Sequence, residues 1–365
     1  MRPPGAFAPG RYAPPADLSP SVPVTPQPPA KPVSAHPHLV GVACVLFTLL
    51  GWSSVPLFLK HFSHSVDAWT SNGWRYGFAA LVWLPVVLWH RWRGTLGDGV
   101  WRAAAIPAAF NILGQVCFTH GFYYINPGLF TFGLRTQILF VTAGAVLLFP
   151  SERKVVRSWG FAVGATMVLG GAMAVVLLGK DVFHGATITG VLLAIASGLL
   201  FACYALAVRK CMAGRPSLIS FAVISQFTAA AMVLLMLVMG EQHGVTALDL
   251  TRSQFGLFLF SALIGIAIGH VAYYMAIARL GVAVSSGVIQ LQPFIVSAFS
   301  VWLFGETLTS GQWGAGLVAV AGAGLILWTQ GRAARRGTKH KPQSRNSEEV
   351  GGDMATATPT GIPRA

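Results

Sequence analysis

The chain has 365 residues, of which 54% are hydrophobic and 10% charged, with a formal net charge of +14. A soluble domain carries roughly 25% charged residues, so a water-facing globular protein of this size is excluded. The basic residues sit beside long apolar runs rather than on a face interleaved with aromatics, which excludes a nucleic-acid binder and points to lipid and topology.

The apolar runs approach the roughly 20 residues that a hydrocarbon core about 30 Å thick requires of a helix. Backbone polar groups in lipid are satisfied only in helices or closed barrels, and these runs are too long and too evenly apolar for barrel strands. The predicted fold class is an all-α integral membrane protein: ten transmembrane helices arranged as two inverted five-helix repeats.

Residues 1–38 open the chain as a Pro-rich tail, with twelve of the 22 prolines before residue 38. Such a segment buries too little apolar surface to offset its ordering entropy and is expected to be disordered. Spans follow at roughly 39–60, 67–89, 101–125, 128–149 and 158–178, then 187–208, 217–239, 254–278, 282–304 and 311–329. A basic, then polar tail over 330–365 is also expected to be disordered. Cys44, Cys117, Cys203 and Cys211 are scattered without CxxC or metal-ligand spacing, so neither disulfide, metal site nor cofactor is expected.

A shift of 154 positions places Glu152 on Glu306, Trp159 on Trp313, Gly160 on Gly314 and Gly170 on Gly324. Both copies show an apolar helix ending in an acid, a short loop and a restart at Trp-Gly, which identifies a duplication. Glycines mark both restarting helices: Gly160, Gly164, Gly170 and Gly171, then Gly314, Gly316, Gly322 and Gly324. The repeats, 39–178 and 187–329, each hold an odd number of spans, so the second enters the bilayer inverted. The charges agree. With the N-terminus in the cytoplasm, only Lys60, Lys180 and Arg252 of the loop and tail cations face out. The positive-inside rule therefore puts both termini in the cytoplasm.

Ionisable groups within the bilayer usually face a cavity or a partner. Arg75, eight residues into the second span, and Arg135, near the middle of the fourth, are permanent cations suited to a carboxylate or phosphate. In the structural alternative each is held by backbone carbonyls or by a side chain such as Asp67 or Gln137, and Arg75 lies close enough to the outer face to snorkel. His120 and Tyr124 on span three, with His270 and Tyr274 on span eight, occupy corresponding helices and are expected to line one cavity from both repeats. Asn111, Gln115, Tyr123 and Tyr273 belong to the same two clusters. Interhelical hydrogen bonding or an interfacial aromatic belt is the plainer role for these residues. Gln137, Gln290 and Gln292 stand on the duplicated spans four and nine. Pro293 lacks a backbone donor, frees a carbonyl one turn earlier and suits a kink or gate. Glu152 and Glu306 read as caps or charge pairs at helix ends. Trp52 and Trp69 read as packing or interfacial residues.

No span carries a central carboxylate and no phosphate-cradling loop is present. Proton coupling would fall to His120, His270 or Asp67; otherwise exchange or facilitated diffusion is expected. An enzyme needs a nucleophile, an acid–base pair or a metal constellation near an interface, and none is found.

The chain resembles the drug/metabolite transporter superfamily with its EamA-type repeat. The resemblance rests on Gly51-Trp52-Ser53, Arg75, the acidic ends of spans four and nine, Gln292-Pro293, Gly305-Glu306 and Trp313-Gly314, and covers about residues 39–330. It implies a secondary transporter in a bacterial inner membrane. Such a protein would export a small organic metabolite or amino acid by alternating access through a cavity between the repeats. A larger amphipathic or lipid-linked substrate is the second transporter reading. The partners implied are a small-molecule substrate and membrane lipid, with a homodimer as one assembly option. Ser151 replaces the glycine preferred before the first acid, and Arg135 is outside the family pattern. Leu139 stands where Pro293 sits in the repeat, so helix breakage is expected in span nine alone.

Overall fold

A computed structural model describes residues 37–148, 158–179, 185–280, 285, 288–305 and 308–339. Among them there is no strand. The helices are α1 (Pro37–Phe62), α2 (Ala68–Trp92), α3 (Val100–Gly121), α4 (Pro127–Leu134), α5 (Gln137–Leu148) and α6 (Trp159–Leu177). They continue as α7 (Gly185–Cys211), α8 (Ser217–Met239), α9 (Arg252–Ala262), α10 (Gly269–Leu280), α11 (Gln292–Phe304) and α12 (Ser310–Lys339). A 3-10 segment, Glu241–Asp249, links α8 to α9, and a π-helical turn, Leu263–Ile268, joins α9 to α10.

Among the described residues, seven helices are long and apolar enough to cross a membrane, taking α4–α5 and α9–α10 as continuous rods. Helices α2 and α3 have the length, at 25 and 22 residues, but carry polar groups such as Arg75, Asn111 and Gln115. Helix α11 is shorter and apolar. Large apolar side chains point outward along these rods: Trp159 is 82% exposed and Leu147 79%. Apolar surface of this extent needs lipid, not water, against it, and the chain is a multi-pass membrane protein.

Side-chain caps set several helix starts. Asp67 Oδ1 accepts from the Trp69 and Thr70 amides at 2.9 and 3.0 Å to begin α2, and its Oδ2 accepts the Glu241 amide at 3.1 Å. Asn126 caps α4 through the Leu129 amide at 2.7 Å, and Ser158 caps α6. Thr251 and Gln254 form a capping box on α9. Helix α11 ends at Gly305, whose φ of 65° suits a residue without Cβ.

The packing repeats with the chain. Helices α1, α2, α3, α4–α5 and α6 correspond to α7, α8, α9–α10, α11 and α12. Exchanging the two sets maps the main contacts onto one another: α1 on α10 becomes α7 on α3. The pairs α2–α8, α6–α12 and α4–α11 map onto themselves. Most of the extensive contacts therefore run between the repeats rather than within one. At α6–α12 the approach is closest. A Cβ on Gly171 would lie 2.6 Å from the Ala319 amide nitrogen and 2.7 Å from the Ala315 carbonyl oxygen. Gly164 and Gly322 make a similar contact, as small residues do where membrane helices meet. Gly170, Gly314 and Gly324 face open space instead.

Three expectations change. Helix α3 stops at Gly121, so Tyr123 and Tyr124 lie in the turn beyond it rather than within a span reaching 125. Helix α12 runs to Lys339, past the expected end near 329, because alanine and arginine over 332–336 are strong helix formers. The fourth span is broken as well as the ninth: α4 ends at Leu134, α5 begins at Gln137, and Arg135 and Thr136 form a turn. The readings of Glu152 and Glu306 as caps or charge pairs fall outside the described residues.

Candidate functional site

The break in span four needs no proline. At Arg135 and Thr136 the amides turn to carbonyls three residues back, Phe132 at 3.1 Å and Gly133 at 3.2 Å. Span nine tightens in the same way, the Leu291 amide donating to Val288 at 3.1 Å before α11 restarts at Gln292. Pro293, at the start of α11, has no N–H for the Ile289 carbonyl. The Arg135 guanidinium supplies that donor. Its Nη1 donates to the Ile289 oxygen at 3.3 Å, its Nε to the Thr131 oxygen at 3.4 Å, and its Nη2 to Gln292 Oε1 at 2.9 Å. Arg135 and Ile289 are 154 residues apart, so the cation bonds to its own counterpart in the other repeat. Gln292 Nε2 then donates to the Trp52 carbonyl at 2.8 Å, bringing α1 into the chain of bonds.

Span eight is loosened at its π-helical turn, where a wider ring leaves carbonyls open to side-chain donors. Trp52 Nε1 donates to the Gly265 oxygen at 3.0 Å and Trp83 Nε1 to the Ala267 oxygen at 3.1 Å. His270 Nδ1 lies 3.1 Å from the Ile266 oxygen, a geometry that assigns its proton to Nδ1. The His270 ring stacks on Phe221 with centroids 4.9 Å apart and meets Trp52 edge-on at 5.2 Å.

These irregular segments surround one cavity of about 500 Å³. The first repeat contributes Trp52, Arg75, Tyr76, Asn111, Gln115, Phe118, Arg135 and Gln137. The second contributes Phe201, Tyr204, Gly265, His270, Tyr273, Tyr274, Ile289, Gln290 and Gln292. The volume lies in the range of small-molecule sites, and the lining is mainly aromatic and apolar with a few polar groups. None of the described lining residues is acidic.

Arg75, Arg135, Gln137, His270, Tyr274, Gln290 and Gln292 line this one cavity, and Pro293 is buried but not among its lining residues. Arg75 does not snorkel. It is 2% exposed, its Nε donates to Ser261 Oγ at 3.2 Å, and its Nη2 has no hydrogen-bond partner among the described residues. His120 and Tyr124 are not in the cavity wall. His120 packs against Trp69 with centroids 4.4 Å apart, its Nδ1 2.8 Å from the Val116 oxygen. Tyr124 is 45% exposed. Both stand at the Asp67 end of the bundle because α3 closes at Gly121, and Asn111, Gln115 and Phe118, deeper in α3, take their place.

Trp52, expected as a packing or interfacial residue, packs and also forms wall. Tyr76 and Tyr204 line the cavity too, and carry no sequence signal beyond being aromatic residues within apolar helices.

The comparisons with known proteins agree with this architecture. A solved protein, described only as a crystal structure, is 18% identical, with a TM-score of 0.54 over 81% of this chain and 98% of its own. That likeness is one of fold. No curated protein matches the sequence. The pattern of the EamA-like transporter family matches twice, at residues 39–177 and 188–328. The chain belongs to the EamA-like transporter family, within the drug/metabolite type of membrane transporter.

Proposed function

We propose that the protein is a secondary transporter that exports a small organic solute by alternating access through the cavity between its repeats. In this reading the chain crosses a bacterial inner membrane ten times. Helices α2, α3 and α11 complete the seven more apolar rods, both termini are cytoplasmic, and residues 1–38 and the end of the chain are tails outside the bilayer. The observation that carries the proposal is the cavity: corresponding segments of both repeats supply its walls, including the two interrupted helices. Interrupted helices paired across an internal repeat are a usual place for a transporter to hold and release its cargo. Basic residues concentrated on one side of the spans support the orientation.

Purified protein reconstituted in liposomes and screened for uptake and counterflow of organic acids, amino acids and neutral metabolites tests the function. Movement of at least one class is expected, with competition among its members. If no class moves faster than in protein-free vesicles, transport through this cavity is wrong. Reporter tags fused after Arg153 and after Thr309 test the inverted topology; they are expected on opposite sides of the bilayer, and the same side for both would overturn it.

A further inference from the structure

The cavity wall holds two permanent cations and, among the described residues, no carboxylate. Arg135 is engaged by three protein acceptors across the two broken helices. Arg75 is placed differently. Ser261 orients its guanidinium through Nε, and the Ser261 hydroxyl is itself fixed on the Phe258 carbonyl at 2.6 Å. Yet Nη2 is buried with no acceptor among the described residues. A buried guanidinium with an unused arm is costly in an apolar surround, unless a ligand supplies the acceptor. The same cavity is lined by Gln290, whose buried Oε1 has no donor among the described residues. Trp52, Tyr76, Tyr204 and Tyr273 supply apolar and aromatic surface to the same cavity.

Resting on the transporter reading, the geometry points to the chemical class of the cargo. It is an organic monocarboxylate with a compact apolar or aromatic body, its carboxylate received by Arg75 and a donor group, where it has one, received by Gln290. A planar carboxylate matches the fork of a guanidinium better than a point charge does. The absence of an acidic group in the described lining leaves an ammonium without a counter-charge, so cations and zwitterions are poorer cargo than the acid alone. The volume of about 500 Å³ accommodates an aromatic acid of ordinary metabolite size.

The test is binding to the purified full chain in detergent, so that it does not depend on transport. Thermal stabilisation and calorimetric titration are measured for benzoate, 4-hydroxybenzoate and hexanoate, each beside its primary amide and its amine. Inorganic phosphate serves as an anion without a carbon body. The carboxylates are expected to bind at least about tenfold more tightly than their amides, as one charge-assisted hydrogen bond implies, with amines and phosphate weakest. Arg75→Gln should abolish the preference for acid over amide, and Arg75→Lys should retain part of it. If Arg75→Gln fails to fold, the Lys variant and Gln290→Leu, which should lower only the advantage of 4-hydroxybenzoate over benzoate, decide the matter. Equal binding of amides or amines, no binding by any carboxylate, or an acid preference undiminished in every folded Arg75 variant would overturn the inference. Flux of neutral solutes with no acid preference would overturn it while leaving the transporter reading intact. Absence of flux with acid binding retained would do the reverse.

Discussion

Arg75 and Arg135 stand in the wall of the same cavity, both buried and both permanently charged, yet their surroundings differ. Arg135 lies in a break of its own helix and spends its donors on Thr131, Ile289 and Gln292. Arg75 lies in an unbroken helix, about 12 Å along its axis from the Asp67 cap at 1.5 Å per residue, with, among the described residues, a bond to Ser261 and one arm unmatched. The difference teaches that a cation in a membrane helix is not a ligand site merely by being there. Where the backbone is broken, the freed carbonyls absorb the charge. Where the helix is continuous, its own carbonyls are taken by the helical ladder and are not offered to the charge.

The contrast can be broken most sharply at Arg135. Arg135→Ala leaves the Ile289 carbonyl and Gln292 Oε1 unsatisfied, each at about 1–3 kcal/mol. Unfolding in detergent should therefore show a loss of about 3 kcal/mol or more, whereas Arg75→Gln, which gives up one hydrogen bond but also removes a buried half-matched charge, should lose no more than about 1 kcal/mol. The opposite ranking would exchange the two roles.

Gly171→Ala probes a region remote from either arginine. Its Cβ meets backbone on α12, which cannot swing aside, so a loss of about 1–3 kcal/mol is expected with solute binding unchanged. Pro293→Leu makes span nine resemble span four and gives the Ile289 carbonyl an amide donor in competition with Arg135. Stability should change by less than about 1 kcal/mol, while flux in liposomes falls; unchanged flux would show that the interruption of span nine is not used. Trp52→Phe removes the bond to the Gly265 carbonyl for about 1 kcal/mol of stability. Smallest of all, Tyr124→Ala, on an exposed residue outside the cavity, should alter stability by no more than about 0.5 kcal/mol and leave binding unaffected.

Much of this was legible from residue order alone. Hydropathy located the rods, the spacing of Glu152, Trp159, Glu306 and Trp313 revealed the duplication, and Pro293 announced both a break and a carbonyl in need of a donor. Which group answers that carbonyl was not legible, because Arg135 lies 154 positions away and only the packing of α4 on α11 brings it there. The break at Arg135–Thr136 carries no glycine or proline to mark it. The π-helical turn in Leu263–Ile268 is equally silent, since its residues read as ordinary apolar helix. His120 and Tyr124 were misplaced for a different reason. Helical spacing identifies a face, but not the depth at which the helix ends, and α3 ends at Gly121.

The central claim is a cavity that opens in turn to each side of the membrane. Ala205 lines it on α7 and is exposed within the fold. With Cys44, Cys117, Cys203 and Cys211 replaced by serine, Ala205→Cys can be challenged with a membrane-impermeant thiol reagent in intact cells and in inside-out vesicles. Labelling from both sides, slowed on each by a transported solute, is the result predicted. Labelling confined to one side under every condition would contradict alternating access.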